Sequence, residues 1–326
     1  MRGEFELIEK YFAPLAEGAP GSLGLTDDAA LLTVPEGRDL VLTADAMIEG
    51  VHFLPDQPPD LVARKLLRVN LSDLAAMGAQ PLGYLVTAAW PDATDESWIA
   101  AFAQGLAEDQ GRFDIHLLGG DTTRTAGPVA LSLTAAGTVP AGGGLRRSTA
   151  RAGDVLFVSG TIGDSLLGLK VLRGELEALG DDDRAALVAR HRLPEPRLAL
   201  GRALLEEGLA TAAIDLSDGL IADIGHIAET SGLAARVAAA AVPLSPAAQR
   251  AVAHDAELRG ALFGGGEDFE LAFAAAPERA EAVAALGRRL ALPIAQIGDL
   301  ARGEGVRLVG ENGEDLPVVS AGWTHF

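Results

Sequence analysis

Six short stretches place carboxylates among small or turn-forming residues: Thr26-Asp27-Asp28-Ala29-Ala30, Thr43-Ala44-Asp45, Asn70-Leu71-Ser72-Asp73, Gly119-Gly120-Asp121-Thr122-Thr123, Ile214-Asp215-Leu216-Ser217-Asp218-Gly219 and Gly265-Gly266-Glu267-Asp268. Several close an apolar run, where a rigid strand aims the side chain and the following loop leaves room for a ligand. Taken singly, Asp215 and Asp218 also suit a turn and a helix N-cap, Asp121 a turn, and Asp27-Asp28 a solvated loop. Asp73 resists that reading. With Asn70 it shares a helical stripe with Leu66 and Met77, which turns both polar groups inward or into a cleft, where an unpaired charge is costly. If the stretches converge they form one site, and two carboxylates about 4 Å apart repel by roughly 4 kcal/mol at an effective dielectric of about 20. Such a set needs a cation. The absence of cysteine and the scatter of six histidines leave oxygen ligands, which with waters and phosphates suit Mg²⁺ better than Zn²⁺. No EF-hand calcium loop is present.

Phosphate cradles of the familiar kinds are missing. There is no Walker A sequence, no Gly-x-Gly-x-x-Gly after a strand and no protein-kinase signature. The run from Ser159 to Ser165 reads as an ordinary strand-to-helix turn. Glycines at Gly119-Gly120 and Gly264-Gly265-Gly266 leave room for backbone to approach phosphate or substrate closely. His116, His191, His226 and His254 show no ligand spacing and are assigned to structure.

Those residues must be positioned by a chain of 326 residues with a formal charge of −20, long enough for two domains. The charge argues against a nucleic-acid or anionic-membrane partner. It also repels an anionic substrate, which again favours a divalent cation. No long apolar run and no signal-peptide pattern at the start are found, so a soluble, cytoplasmic protein is expected. Strands are predicted over residues 40–43, 115–118, 129–139, 154–159, 213–216, 233–240 and 269–274. Helices are predicted over 60–77, 95–111, 163–172, 195–207, 219–230 and 277–290, with another starting at Pro246. Asn312-Gly313, between the apolar runs 306–309 and 316–318, signals a hairpin. The stretch 236–242 reads as a buried strand. Pro140-Ala141-Gly142-Gly143-Gly144 is the expected boundary between domains 1–140 and 145–326, both α/β (α+β).

The acidic stretches do not stand alone. The opening Gly3-Glu4-Phe5-Glu6-Leu7-Ile8 is followed by Asp27 through Leu32, by Asp45 with Gly50-Val51-His52-Phe53, and by Asn70 through Ala79. Gly119 through Thr123, Asp215 through Leu220, Gly265 through Leu271 and a terminal Gly322-Trp323-Thr324-His325-Phe326 complete the series. In this order the segments resemble the thiamine-monophosphate kinase family, within the aminoimidazole-ribonucleotide synthetase superfamily. The resemblance implies an N-terminal domain that pairs with its copy in a homodimer and a C-terminal domain that closes over the nucleotide. The implied reaction converts ATP and thiamine monophosphate to ADP and thiamine diphosphate. It further implies that Asp28, Thr43, Asp45, Asp73, Asp121, Asp215 and Asp218 hold several Mg²⁺ ions, with Asp121 also at the ATP site. Gly120, Arg147 and Ser217 correspond to nucleotide contacts, and His52, Glu267 and Trp323 to contacts with the thiamine substrate. One departure stands out: Thr26 occupies the position before the Asp pair where the family usually has glycine, so the loop is expected to differ around Asp27.

Two other readings compete. A relative in the superfamily could use ATP to activate an amide or carbonyl oxygen. A non-catalytic store of divalent ions could also carry many aspartates, but it leaves Asn70, His52 and Trp323 without a task.

Overall fold

A computed structural model describes residues 3–317 and Gly322. The chain forms two compact units, one from Met1–Leu74 with Ala79–Gly143, the other from Ala75–Gly78 with Gly144–Phe326. It passes from the first to the second inside the glycine-rich stretch that breaks regular structure in the sequence.

The first unit opens with α1 (Glu4–Leu7) and irregular helical turns to Leu25, then runs β1 (Arg38–Ile48), α2 (Pro59–Ala76), β2 (Gln80–Pro91), α3 (Glu96–Phe113), β3 (His116–Thr125) and β4 (Ala130–Pro140). The four strands form one sheet in the order β1-β4-β2-β3, with β2 and β3 parallel and the other pairs antiparallel. Alternation along β2 buries Tyr84, Val86, Ala88 and Trp90 and leaves Leu85 and Thr87 exposed, the period expected of a sheet covered on one face. Tyr84 Oη donates to Gln110 Oε1 of α3 at 2.6 Å, and Trp90 packs on Trp98 and Phe102 of the same helix. On the other face Leu40, Leu42, Ile48 and Leu85 stand exposed.

β2, missing from the predicted elements, is an interior strand of this sheet. Pro81 and Gly83 obscure it in the sequence, and a register shift between those two residues accommodates the proline. β3 likewise continues beyond the predicted 115–118 through Gly119-Gly120-Asp121, residues that read locally as a turn.

Helices α2 and α3 meet at close range. A Cβ on Gly105 would lie 2.2 Å from the Asp60 carbonyl oxygen, so no larger residue fits there. Beside this crossing the buried Asp109 of α3 accepts from Arg68 of α2 through both oxygens, at 2.6 and 2.9 Å, and from Arg64 Nε at 3.1 Å.

The second unit contains β5 (Val155–Ser159), α4 (Asp164–Leu172), α5 (Asp181–Arg192), α6 (Leu198–Glu206), β6 (Ala212–Asp215), α7 (Leu220–Ser231) and β7 (Leu233–Ala238). α8 (Pro246–His254), α9 (Leu258–Gly264), β8 (Leu271–Ala275), α10 (Ala280–Arg289), β9 (Ile294–Arg302) and β10 (Val306–Val309) complete it. Its sheet has the order β10-β7-β9-β5-β8-β6. Both faces are covered: Ala272 and Ala274 of β8 join one core with Ile224 and Ile227 of α7, while Leu271, Phe273 and Ala275 join another with Leu204 of α6 and Leu286 of α10. The expected turn at Asn312-Gly313 forms, with Gly313 at φ +81° and Leu316 N–H donating to Leu308 O at 2.8 Å; Val318 lies outside the described residues.

Removing one partner of a buried ion pair leaves the other charge unpaired. Asp109→Ala is therefore expected to destabilise the first unit by about 3–5 kcal/mol, read from the urea unfolding midpoint, whereas Glu108→Ala, at the exposed end of the same pairing, changes it little.

Candidate active site

In the first unit the predicted site residues gather in two places. Thr43 and Asp45 are two apart on β1 and share a face, while Asn70 and Asp73 are three apart on α2. Asp45 N–H donates to Asn70 Oδ1 at 3.1 Å, Asn70 Nδ2 donates back to Leu66 O at 2.9 Å, and Thr43 Oγ1 donates to Asp73 Oδ2. Asn70 thus fixes the strand against the helix and sets Asp45 beside Asp73. Burial, then the charge of Asp73 and a hydrogen bond with it, push the Asp45 carboxyl up to about 7. Thr43, Asp45 and Asp73 can offer a cation only oxygen side-chain atoms, and the causes acting on Asp45 all disfavour its anion. Such a pair fits a hard divalent cation. At the end of β1, His52 Nδ1 accepts the Ile48 N–H at 3.0 Å.

The second gathering is a cleft of about 630 Å³ at the β2–β3 side of the sheet, lined by Asp27, Asp28, Thr87, Gly119, Gly120 and Asp121 among others. It brings together segments more than ninety positions apart in sequence. Asp28 N–H is held by Asp27 Oδ1 at 3.0 Å. Thr26 takes φ −109°, an ordinary value; the left-handed backbone falls instead on Leu23, Gly24 and Leu25, so threonine costs this loop nothing at that position. A Cβ on Gly120 would lie 1.8 Å from Val86 O, which explains the glycine through β2–β3 packing.

The two gatherings are separate. β1 and β3 are opposite edges of the sheet, about 14 Å apart along it at the usual strand spacing. Asp45 faces α2, whereas Asp121 alternates with Thr122, whose Oγ1 accepts from the helix-facing Trp90. Asp121 therefore sits on the open face, and within this unit the structure does not bring it to Asp45 and Asp73.

In the second unit Asp215 ends β6 and is buried. Ser217 and Asp218 form the turn into α7, where Asp223 Oδ2 accepts the N–H groups of Asp218 and Gly219 at 3.1 and 3.0 Å. Asp218, Asp223 and His226 each offer a ligand atom within 4.8 Å of the others. Burial pushes Asp223 up to about 7, the charge of Asp218 adds to the rise, and the Arg147 guanidinium opposes it. Arg147 thus lies alongside α7, its carbonyl accepting from Ser231 Oγ at the far end of that helix at 3.1 Å. His226, assigned to structure on the sequence, and Asp223, which lies in no motif, come together beside Asp218 through their i, i+3 spacing on a helix that begins just after it. Gly322 also packs here, with an added Cβ 3.3 Å from Asp218 O. Trp323 lies outside the described residues.

Glu267 holds φ +69°, a conformation that a non-glycine residue adopts only when its surroundings impose it. Its N–H donates to Ser217 O at 2.8 Å, and its carboxylate lies 3.6 Å from His191 Nδ1. The neighbouring acids belong to the frame. Asp268 accepts from Gly163 N–H at 2.7 Å and Ser165 N–H at 3.2 Å, capping α4. Glu270, fully buried, accepts from Ser159 Oγ, Arg190 and Arg197. The glycines before them serve packing, since a Cβ on Gly266 would lie 2.4 Å from Ser217 O and one on Gly265 2.8 Å from Leu166. Asp268 fills the start of α4, so the Ser159–Ser165 turn holds a carboxylate where a phosphate loop would hold phosphate.

Comparison with known proteins bears on this arrangement. The N-terminal domain of AIR synthase related proteins matches residues 26–139, and the C-terminal domain of the same group matches residues 151–311. The chain is 45% identical over 325 residues to the thiamine-monophosphate kinase of Caulobacter vibrioides, covering 99% of this chain and 90% of that protein. The crystal structure of thiamine-monophosphate kinase from Stenotrophomonas maltophilia superposes with a TM-score of 0.85 at 41% identity, covering 96% of this chain and 98% of that one. AaThiL complexed with AMPPCP and TMP superposes with a TM-score of 0.79 at 30% identity over 100% of this chain and 99% of that one.

Asp268 generates a pH dependence of its own. Burial pushes its carboxyl from 3.8 to about 7, so between those values the folded chain holds a proton that the unfolded chain has released. Its contribution to stability is complete below about pH 4 and lost as pH rises to about 7. Urea midpoints measured across this range are expected to fall with pH, and Asp268→Asn to flatten the slope by about one proton.

Proposed function

We infer the activity from kinship: the chain belongs to the thiamine-monophosphate kinase family, and it phosphorylates thiamine monophosphate to thiamine diphosphate with ATP. The observation that carries this reading is the end-to-end match to a structure complexed with AMPPCP and TMP. The acidic groups described above give the reading its chemistry.

A phosphate monoester has a second pKa near 6, so the attacking oxygen of thiamine monophosphate is already largely deprotonated at neutral pH. No general base is required. The task left to the protein is to align two anionic phosphates for direct in-line transfer and to offset their charge. Mg²⁺, when bound, neutralises phosphate oxygens and the charge on the transferring group. Thr43, Asp45 and Asp73 offer one all-oxygen set for it, Asp28 and Asp121 line the cleft that offers another, and Asp215 and Asp218 offer a third in the second unit. Gly120, Asp121, Ser217 and Arg147 are assigned to ATP, Arg147 supplying positive charge that is felt at Asp223 of α7. His52, Glu267 and Trp323 are assigned to thiamine monophosphate; an indole suits stacking on its cationic ring.

The exposed apolar face carrying Leu40, Leu42, Ile48 and Leu85 supports a homodimer formed through the first unit. No helix among the described residues is long and apolar enough to cross a membrane, and a cytoplasmic site of action is the matching assignment.

A coupled assay with thiamine monophosphate and, in parallel, free thiamine tests the reading. Turnover is expected with the phosphate ester alone and is expected to vanish on removing divalent cations. Asp45→Asn is expected to lower kcat by about 100-fold. Equal turnover of free thiamine, or full activity in excess chelator, would overturn it.

A further inference from the structure

β3 has a single hydrogen-bonded neighbour in its sheet, β2. Along that ladder Tyr84 stands opposite Leu117, but Leu85 stands opposite Gly119, so Leu118 is an extra residue in β3. Beyond such a bulge the in-and-out phase of a strand must be set afresh, and a slip of one residue exchanges the two faces. Here the slip would turn Asp121 toward the helices and Thr122 toward the cleft. Gly119 and Gly120, the next two residues, have no side chain with which to resist it.

Thr122 is the first side chain past Asp121 that can set the phase. Its Oγ1 accepts from Trp90 Nε1 at 2.7 Å. Trp90 is itself buried and held by α3, edge-on to Trp98 with centroids 5.2 Å apart and to Phe102 with centroids 5.6 Å apart. The indole N–H is thus a rigid donor on the helix side of the sheet, and it can be satisfied by Thr122 only when Asp121 points the other way.

We propose that Trp90 and Thr122 are positioning residues for Asp121: their hydrogen bond fixes the phase of β3 after its bulge and holds the Asp121 carboxylate in the cleft with Asp28. The proposal rests on the reading of Asp121 as a metal ligand. It assigns no contact with substrate to either positioning residue.

Thr122→Val keeps the shape and strand propensity of threonine but cannot accept a hydrogen bond; Thr122→Ser can. Trp90→Phe removes the donor and keeps an aromatic ring. Mn²⁺ binding to each purified protein, followed by the electron paramagnetic resonance of free Mn²⁺, gives a readout independent of turnover. The half-saturating Mg²⁺ and the KM for thiamine monophosphate are measured beside it. Thr122→Val and Trp90→Phe are expected to weaken Mn²⁺ binding and raise half-saturating Mg²⁺ by about tenfold, with KM for thiamine monophosphate unchanged and Thr122→Ser close to wild type. Wild-type Mn²⁺ binding in Thr122→Val, or equal impairment of Thr122→Val and Thr122→Ser, overturns the proposal. Asp121→Asn separates the two levels: if it binds Mn²⁺ as wild type does, the assignment of Asp121 to metal fails, and the positioning role with it.

Discussion

Mutual repulsion of carboxylates is the constraint around which this molecule is arranged. Asp45 and Asp73 are brought within reach of each other by a backbone hydrogen bond from β1 to Asn70 of α2, in a place where burial already disfavours the charge of Asp45. A fold has two ways to tolerate such a pair, by leaving a proton on one member or by admitting a cation. A phosphate-transferring enzyme has a use for the second. On the proposed function, the same carboxylates that repel ATP on their own would retain it through divalent cations, which would reconcile a chain of formal charge −20 with two anionic substrates.

The sheet of the first unit adds a second constraint, because strand alternation assigns each acid to a face. Asp45, beside α2, and Asp121, on the open side, cannot meet across one four-stranded sheet whose opposite edges they occupy. The open face carries both the cleft with Asp28 and the exposed leucines. Apolar surface and acidic cleft therefore adjoin, so whatever covers the one also lowers the dielectric around the other and strengthens every charge interaction there.

How much of this was legible in the sequence depended on where the partner of each residue lies. Short apolar runs such as residues 155–158 and 212–214 announced β5 and β6, and the Asn70-Asp73 spacing revealed a polar stripe on an otherwise apolar helix. β2 was hidden by Pro81 and Gly83, and the second half of β3 by a glycine pair that looks like a turn until β2 lies alongside it. β9 was missed for a similar reason: a Cβ on Gly298 would lie 1.9 Å from Arg236 O of β7, so this glycine marks close strand packing and not a chain reversal. Arg190 and Arg197, which meet Glu270, are more than seventy residues away from it, and no local pattern links them. The proximity of His226 to Asp218 was hidden because the grouping straddles a turn and a helix.

These remote partners decide which acids are structural and which are available for chemistry, although the sequence presents them in the same motif. Asp268 and Glu270 are both buried, yet each is matched by donors: backbone N–H groups at the start of α4 for one, two guanidinium groups and a hydroxyl for the other. Asp109 is matched in the same way by Arg68. Asp45 is different, since a principal neighbour is another carboxylate and every cause acting on it favours the protonated form. Glu267 stands between the two classes, its backbone clamped in a left-handed conformation by Ser217 while its side chain remains partly exposed. With Arg190 and Arg197 engaged by Glu270 and Arg68 by Asp109, the charge of the Asp45 pair falls, under the proposed function, to a divalent cation, the means by which a strongly acidic protein would hold phosphate.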